Sequence, residues 1–223
     1  MPASEITFGE MLKEQGYQTA SVGKWDVSNR KAIVNRMPNA QGFDYYFGTL
    51  GANDNGSTTF HENNKKAGQT DDMGSLTTLY TDKAIDFLKN RRDPNKPFVL
   101  YLAHTMMHTI IDASDRFRNK SKGGLYGDVV EEFDYETGRL LDTLERLGLS
   151  ESTLVIFTTD NGTARGKSVF NAGMRGQKGS EYDGGHRVPL IVKWPGHIVP
   201  GEKTQAMACH TDIYTSFAEI VNQ

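Results

Sequence analysis

The sequence holds a single cysteine, Cys209, so no disulfide can form within the chain. Long hydrophobic runs are missing. The two longest, Phe98 to Ala103 and Leu154 to Phe157, are far too short to span a bilayer. No excess of one charge sign is present: Lys and Arg number 25, Asp and Glu 28, for a net charge of -3. That balance argues against a dedicated nucleic-acid or membrane-surface binder. Internal repeats and low-complexity tails are absent. Residues 1–20 lack a basic start followed by an apolar stretch, so no signal peptide is expected within them. What is present is 223 residues with 37% hydrophobic content, enough for one globular domain with a core.

The local signals alternate between helix and strand. Thr7 and Glu10 have the spacing of a capping box at the start of a helix. Phe8, Met11 and Leu12 give that helix one apolar face, and Gly16 suits its left-handed stop. A short strand is expected over Thr19 to Val22. Residues 51–75, rich in Gly, Asn, Thr and Lys, are expected to form a surface loop or lid. Leu76 to Asn90 reads as a helix, and Phe98 to Ala103 as a strand buried on both faces. Asp128 to Leu147 carries the strongest helical periodicity. Thr153 to Thr159 and Pro189 to Trp194 read as further strands, and His210 to Val221 as a last helix capped by Thr211. The alternation predicts an α/β fold with a largely parallel sheet, treated as one unit over residues 1–223.

Polar residues just beyond the carboxyl ends of such strands tend to line a ligand site. Three strands run into polar clusters: Lys24-Trp25-Asp26, His104 to His108, and Asp160-Asn161-Gly162. On one edge of one sheet they would converge. Asp160 and Asn161 offer adjacent oxygens of the kind that hard cations prefer, although Asp-Asn-Gly is also a common turn. His104 and His108, four apart, could contact an anion or donate a proton, although the cluster taken alone reads more readily as a pair of loop histidines. Lys24 and Lys178 would bind a sulfate or phosphate as point charges if brought together; singly, most lysines are solvated.

Taken as an ordered set, these segments resemble the sulfatases, the arylsulfatase family of the alkaline-phosphatase-like superfamily. The resemblance is carried by Gly23-Lys24-Trp25, by Ala103 to His108, and by Thr158-Thr159-Asp160-Asn161-Gly162. It is carried also by Lys178 to Pro189, and by the linking stretches Gly42-Phe43-Asp44 and Trp194-Pro195-Gly196. It runs over nearly the whole chain. It implies an alkaline-phosphatase-like three-layer sandwich, incomplete here, and a parent enzyme that hydrolyses sulfate esters such as sulfated carbohydrates or aryl sulfates. By the resemblance, Asp160 and Asn161 are ligands of an active-site Ca²⁺ (Mg²⁺ in some members). Lys24, His108 and Lys178 contact the sulfate and take part in catalysis, and Arg187 has a structural role.

The departures from the family pattern shape the expectation. Asp26 stands where the family usually has a histidine, and Met107-His108 replaces a frequent Pro-His. The family's apolar strand ending in paired aspartates is not found, nor is its Cys-x-Pro-Ser-Arg segment, whose first residue becomes the formylglycine nucleophile. Asp71-Asp72 imitates the paired aspartates only in spelling, and Cys209 is expected to be a buried thiol. The chain is therefore expected to be a partial catalytic domain, inactive by itself. A small-molecule or carbohydrate sulfate ester is the expected partner, with neither nucleic acid nor a membrane span. Two alternatives stay open: a phosphodiesterase or phosphonate hydrolase of the same superfamily, and an inactive anion-binding remnant. Localisation and oligomeric state are not legible.

Overall fold

Thr7 starts the first helix as its sequence dictates. Its hydroxyl accepts from the Glu10 amide at 3.0 Å, and the Glu10 carboxylate accepts from the Thr7 amide at 2.8 Å, closing a capping box on α1 (Phe8–Glu14). The chain turns at Gly16, in the left-handed region, and enters β1 (Gln18–Lys24). The computed structural model describes residues 4–28, 30–164 and 171–221. It divides into two units, residues 1–144 with 206–223, and residues 145–205.

In the first unit β1 pairs in parallel with two strands, β2 (Tyr45–Thr49) on one side and β5 (Phe98–Ala103) on the other. Two more strands, β3 (Thr58–Glu62) and β4 (Lys65–Thr70), extend the sheet beyond β2 in antiparallel fashion. The order is β4-β3-β2-β1-β5. Side-chain alternation assigns the two faces. Tyr45, Phe47 and Phe98 meet the helix α2 (Leu76–Asp86) and the π-helical turn that follows it: Tyr45 stacks on Phe87, Phe87 contacts Phe98 edge-on, and Phe47 stacks on Phe60, which meets Tyr80. On the opposite face Tyr46 joins a cluster of Trp25, Met37, Phe43 and Leu50. There Phe8 of α1 makes edge contacts with Phe43, with Tyr101, and with Phe217 of α5 (His210–Ile220). This unit is thus three layers, helix on sheet on helix. The helix α3 (Gly124–Arg146) meets α2 through polar groups: Arg139 pairs with Asp82 and Glu136, and Thr78 donates to the buried carboxylates of Glu132 and Glu136.

The second unit contains β6 (Val155–Thr158) and β7 (Leu190–Lys193), paired antiparallel, and a single helical turn, α4 (Asp183–His186).

Several expectations are corrected. The sheet is mixed, not largely parallel, because β3 and β4 form a hairpin within residues 51–75, where a loop or lid was expected. The β4 stretch is polar and exposed, so it gives no hydrophobic alternation from which to recognise a strand. The β5 strand is only half buried, with Tyr101 41% exposed, because it forms the sheet edge and, among the described residues, pairs with β1 alone. The β6 strand pairs with β7 in the second unit, and β1 and β5 pair with each other in the first. Asp128 does not start α3. It lies inside the helix, and its carboxylate accepts from the amides of Asn119, Lys120 and Ser121. Cys209 is exposed and sits at the N-cap of α5, two residues before the expected Thr211.

Gly23 is the position at which the sheet tolerates no side chain. Its φ is +107°, and a Cβ there would lie 1.9 Å from the Ala103 carbonyl oxygen. Gly48 faces the same point from β2, where a Cβ would lie 1.7 Å from the Gly23 oxygen. Gly23→Ala should therefore cost at least about 2 kcal/mol, through backbone strain and strand separation together. Urea unfolding followed by circular dichroism checks this; an unchanged midpoint would show that the strands do not close on Gly23.

Candidate active site

The carboxyl ends of β1 and β5 deliver the first group of candidate residues. Lys24 is the last residue of β1. Beyond it, Trp25 is fixed by two hydrogen bonds, from its amide to the Thr49 oxygen at 2.8 Å and from its indole to the Arg36 oxygen at 2.9 Å. That anchoring turns Asp26 back toward Lys24, with Nζ 3.5 Å from Oδ2. Arg30 takes both Asp26 oxygens, through Nε at 3.1 Å and Nη2 at 3.3 Å, and its Nη1 reaches Asp54 at 3.0 Å. The other Asp54 oxygen lies 3.3 Å from Nδ1 of His108. Lys24, Asp26, Arg30, Asp54 and His108 therefore form one chain of alternating basic and acidic groups. Its members are partly exposed, so each pair adds little to stability; what the chain supplies is orientation. Arg30, bonded first to Asp26 and then to Asp54, is held more firmly in its charged form.

The two histidines of the 104–108 cluster are separated by the fold. The His104 ring is enclosed by Tyr80 and Phe133, and its Nδ1 is shut away from solvent with no hydrogen-bond partner among the described residues. Burial pushes its pKa down to about 4. It is a neutral group packed against aromatic rings, with part of the residue still accessible. His108 instead sits at the end of the charge chain. Its loop is pinned by Asn53, itself wholly buried, which donates to the oxygens of His108 at 3.3 Å and Ile110 at 2.7 Å.

Asp160, Asn161 and Lys178 belong to the second unit. Asp160 is exposed and Asn161 partly buried, just beyond β6. The following Gly162 packs against residues 184 and 185: its amide donates to the Gly185 oxygen at 2.9 Å, and a Cβ there would lie 1.9 Å from the Gly184 oxygen. Lys178 is tied to the same segment by its amide, which donates to the Thr163 oxygen at 2.9 Å. The structure thus brings Lys178 beside the stretch that carries Asp160 and Asn161, and brings Lys24 to His108 through three intervening charges. Arg187 pairs with Asp183 one turn back, at 3.4 Å. Asp71 and Asp72 are exposed in the turn after β4, with no buried strand before them.

Asp160 and Asn161 have the donor chemistry of a hard-cation site, a carboxylate and an amide oxygen, and in number they are a fraction of the six to eight oxygens that Ca²⁺ takes. Arg30, Asn53 and Asp54 were not legible as site residues. They sit in stretches with no periodic or motif signal, and only the β1–β2–β5 pairing brings them to Lys24 and His108.

Comparison with known proteins points the same way. A family model described as Sulfatase matches residues 2–222. The N-acetylgalactosamine-6-sulfatase of Mus musculus is 34% identical over 240 residues, covering 97% of this chain and 45% of that protein. An arylsulfatase of Hemicentrotus pulcherrimus is 33% identical over 246 residues, covering 99% and 43%. The chain spans about half the length of the curated relatives it matches. Among solved structures, a protein from Bacteroides thetaiotaomicron described with the metabolism of multiple glycosaminoglycans superposes with a TM-score of 0.86. That match is 25% identical and covers 100% of this chain and 61% of the other. The fold is α/β of the alkaline-phosphatase-like type shared by these structures.

The burial of His104 has a consequence for acid stability. In the unfolded chain the imidazole takes up a proton near pH 6.5; in the folded chain it does so only near pH 4. The stability that comes from keeping it neutral is complete above 6.5 and is lost as pH falls toward 4. Between pH 7.5 and pH 5 the loss from this residue should be about 2 kcal/mol. His104→Phe should lose correspondingly less over that interval in urea titrations; an equal acid loss in both proteins would show that His104 is not buried neutral.

Proposed function

Since this chain belongs to the sulfatase family, we propose that the whole protein hydrolyses sulfate esters, with a sulfated carbohydrate as the substrate class. The observation that carries the reading is the charge chain that presents Lys24 and His108 at the carboxyl edge of β1 and β5. Two relatives support the carbohydrate class: the mouse protein is named for N-acetylgalactosamine-6-sulfate, and the bacterial structure is described with glycosaminoglycans.

In this reading Lys24 and Lys178 hold the sulfate oxygens as point charges and offset the negative charge that grows on them as the ester S–O bond breaks. His108 gives a proton to the leaving oxygen, so that an alcohol and not an alkoxide departs. Asp160 and Asn161 would hold a Ca²⁺, which when bound supplies further charge to polarise the sulfate. The nucleophile implied by the family is a hydrated formylglycine, and the sequence contains no Cys-x-Pro-Ser-Arg segment to carry it. Asp26 is what favours a phosphate-ester alternative. Its carboxylate is bonded to Lys24 and Arg30, so it does not stand as a free negative charge against a sulfate, and that alternative loses its motive.

Full-length protein should turn over 4-nitrophenyl sulfate and a 6-sulfated N-acetylgalactosamine. Lys24→Ala, Lys178→Ala and His108→Ala should each lower kcat/KM by about a hundredfold or more. Faster turnover of bis(4-nitrophenyl) phosphate than of any sulfate would overturn the reading.

The metal assignment has its own check. Chelation should lower sulfate turnover and added Ca²⁺ should restore it, and calorimetry on Asp160→Ala should show Ca²⁺ affinity reduced about tenfold or more. Unchanged affinity would remove Asp160 from the metal site.

A further inference from the structure

A histidine that acts as an acid has two ring nitrogens, and the structure decides which one of His108 is free for the work. Nδ1 of His108 lies 2.8 Å from the Thr109 carbonyl oxygen and 3.3 Å from the Asp54 carboxylate. Both neighbours can only accept, so Nδ1 must carry a hydrogen. A neutral His108 then has its lone pair on Nε2, and Nε2 is the nitrogen left to exchange a proton with anything outside.

We propose that Asp54 is a positioning residue for His108. With the Thr109 carbonyl it fixes the Nδ1–H tautomer and the ring orientation, and so presents Nε2 as the atom that protonates the leaving oxygen. Arg30 extends the device. It clamps the second Asp54 oxygen at 3.0 Å and grips Asp26 with two further bonds, and Asp26 holds Lys24 at 3.5 Å. The sulfate-binding lysine and the proton donor are thereby oriented by one arginine. Asn53, the residue before Asp54, fixes the backbone on both sides of Thr109, so Asp54 and the ring it steers cannot drift apart. The assignment of a catalytic role to Nε2 rests on the sulfatase reading; the tautomer and its dependence on Asp54 do not.

In the step concerned, an oxygen of the nucleophile that the family implies forms a bond to sulfur, and the S–O bond to the leaving group breaks with its electron pair going to the leaving oxygen. The Nε2–H proton passes to that oxygen, and the imidazolium becomes the neutral Nδ1–H form, which Asp54 and Thr109 already hold. Asp54 itself neither gains nor loses a proton.

Two measurements on the full-length protein test this. The first is long-range ¹H–¹⁵N correlation of the His108 ring, assigned by its loss in His108→Gln. The wild type should show protonated Nδ1 and bare Nε2 in its neutral form, and Asp54→Ala should show a mixture of tautomers. An Nε2–H tautomer in the wild type, or an unchanged Nδ1–H tautomer in Asp54→Ala, would overturn the proposal. The second compares leaving groups. Asp54→Ala should lower kcat about tenfold or more on a sugar sulfate, whose alkoxide needs a proton, and less than about twofold on 4-nitrophenyl sulfate, whose phenolate does not, with KM little changed on either. Asp54→Asn, which keeps an acceptor oxygen, should recover part of the loss. Equal losses on both substrates would show that Asp54 merely holds the loop. Absence of sulfate turnover in the wild type would sink the sulfatase reading alone, and the ring spectra would still decide the place of Asp54.

Discussion

Everything at the first group of candidate residues depends on how closely three strands meet at Gly23. Among the described strands β1 is the only one paired in parallel on both sides, and at its end the backbone of β5 comes so near that a methyl group would overlap the Ala103 oxygen. Gly48 permits the equivalent approach from β2. Such closeness sets the spacing of the segments that leave the strands. Lys24 ends β1, the Asn53–Asp54 turn comes after β2, and His108 comes after β5. Because the strands are parallel, all three chain segments exit at one edge, and no length of loop has to carry charged side chains across the sheet.

Composition prepares the two faces of that sheet differently. On the α2 face, aromatic rings stack and meet edge-on in two series, Tyr45–Phe87–Phe98 and Phe47–Phe60–Tyr80, a floor of large area. His104 lies against the edge of the second series, which explains why it is neutral and why it is not a partner of His108. Four residues of separation mean shared location on a helix but not in a chain that leaves a strand as coil. The fold packs one histidine among aromatic rings and leaves the other beside Asp54 at the charged edge.

Legibility in the sequence tracks the strength of local constraints. The Thr7–Glu10 capping box, the start of α2 and the strands β1, β5 and β6 are readable because caps and apolar runs act within a few residues. The β3–β4 hairpin is not, since Lys65–Thr70 is a polar strand exposed along most of its length and resembles a loop in composition. The mixed character of the sheet is hidden for the same reason. At the site, the residues that resemble a known pattern are found by that resemblance, whereas Arg30 and Asp54 are invisible. Their roles come from tertiary pairing 24 residues apart, and no spacing rule connects them. Cys209 shows the converse error: the general preference of free cysteine for the interior loses to the demands of a helix N-cap, where its amide meets Asp212.

Arg30 makes the acidic residues of this edge compatible with an anionic substrate. Its φ is 55°, a left-handed conformation that costs an arginine energy on its own. Three hydrogen bonds to two carboxylates hold it there. Remove the arginine in thought, and Asp26 and Asp54 remain as two negative charges beside Lys24 and His108, where the proposed substrate is an anion. With it, the two carboxylates are balanced by Arg30 and Lys24. Under the proposed sulfate reading, a carboxylate at position 26 calls for a neighbour such as Arg30 to offset its charge. The departure at Asp26 and the strained arginine four residues later are two halves of one electrostatic solution.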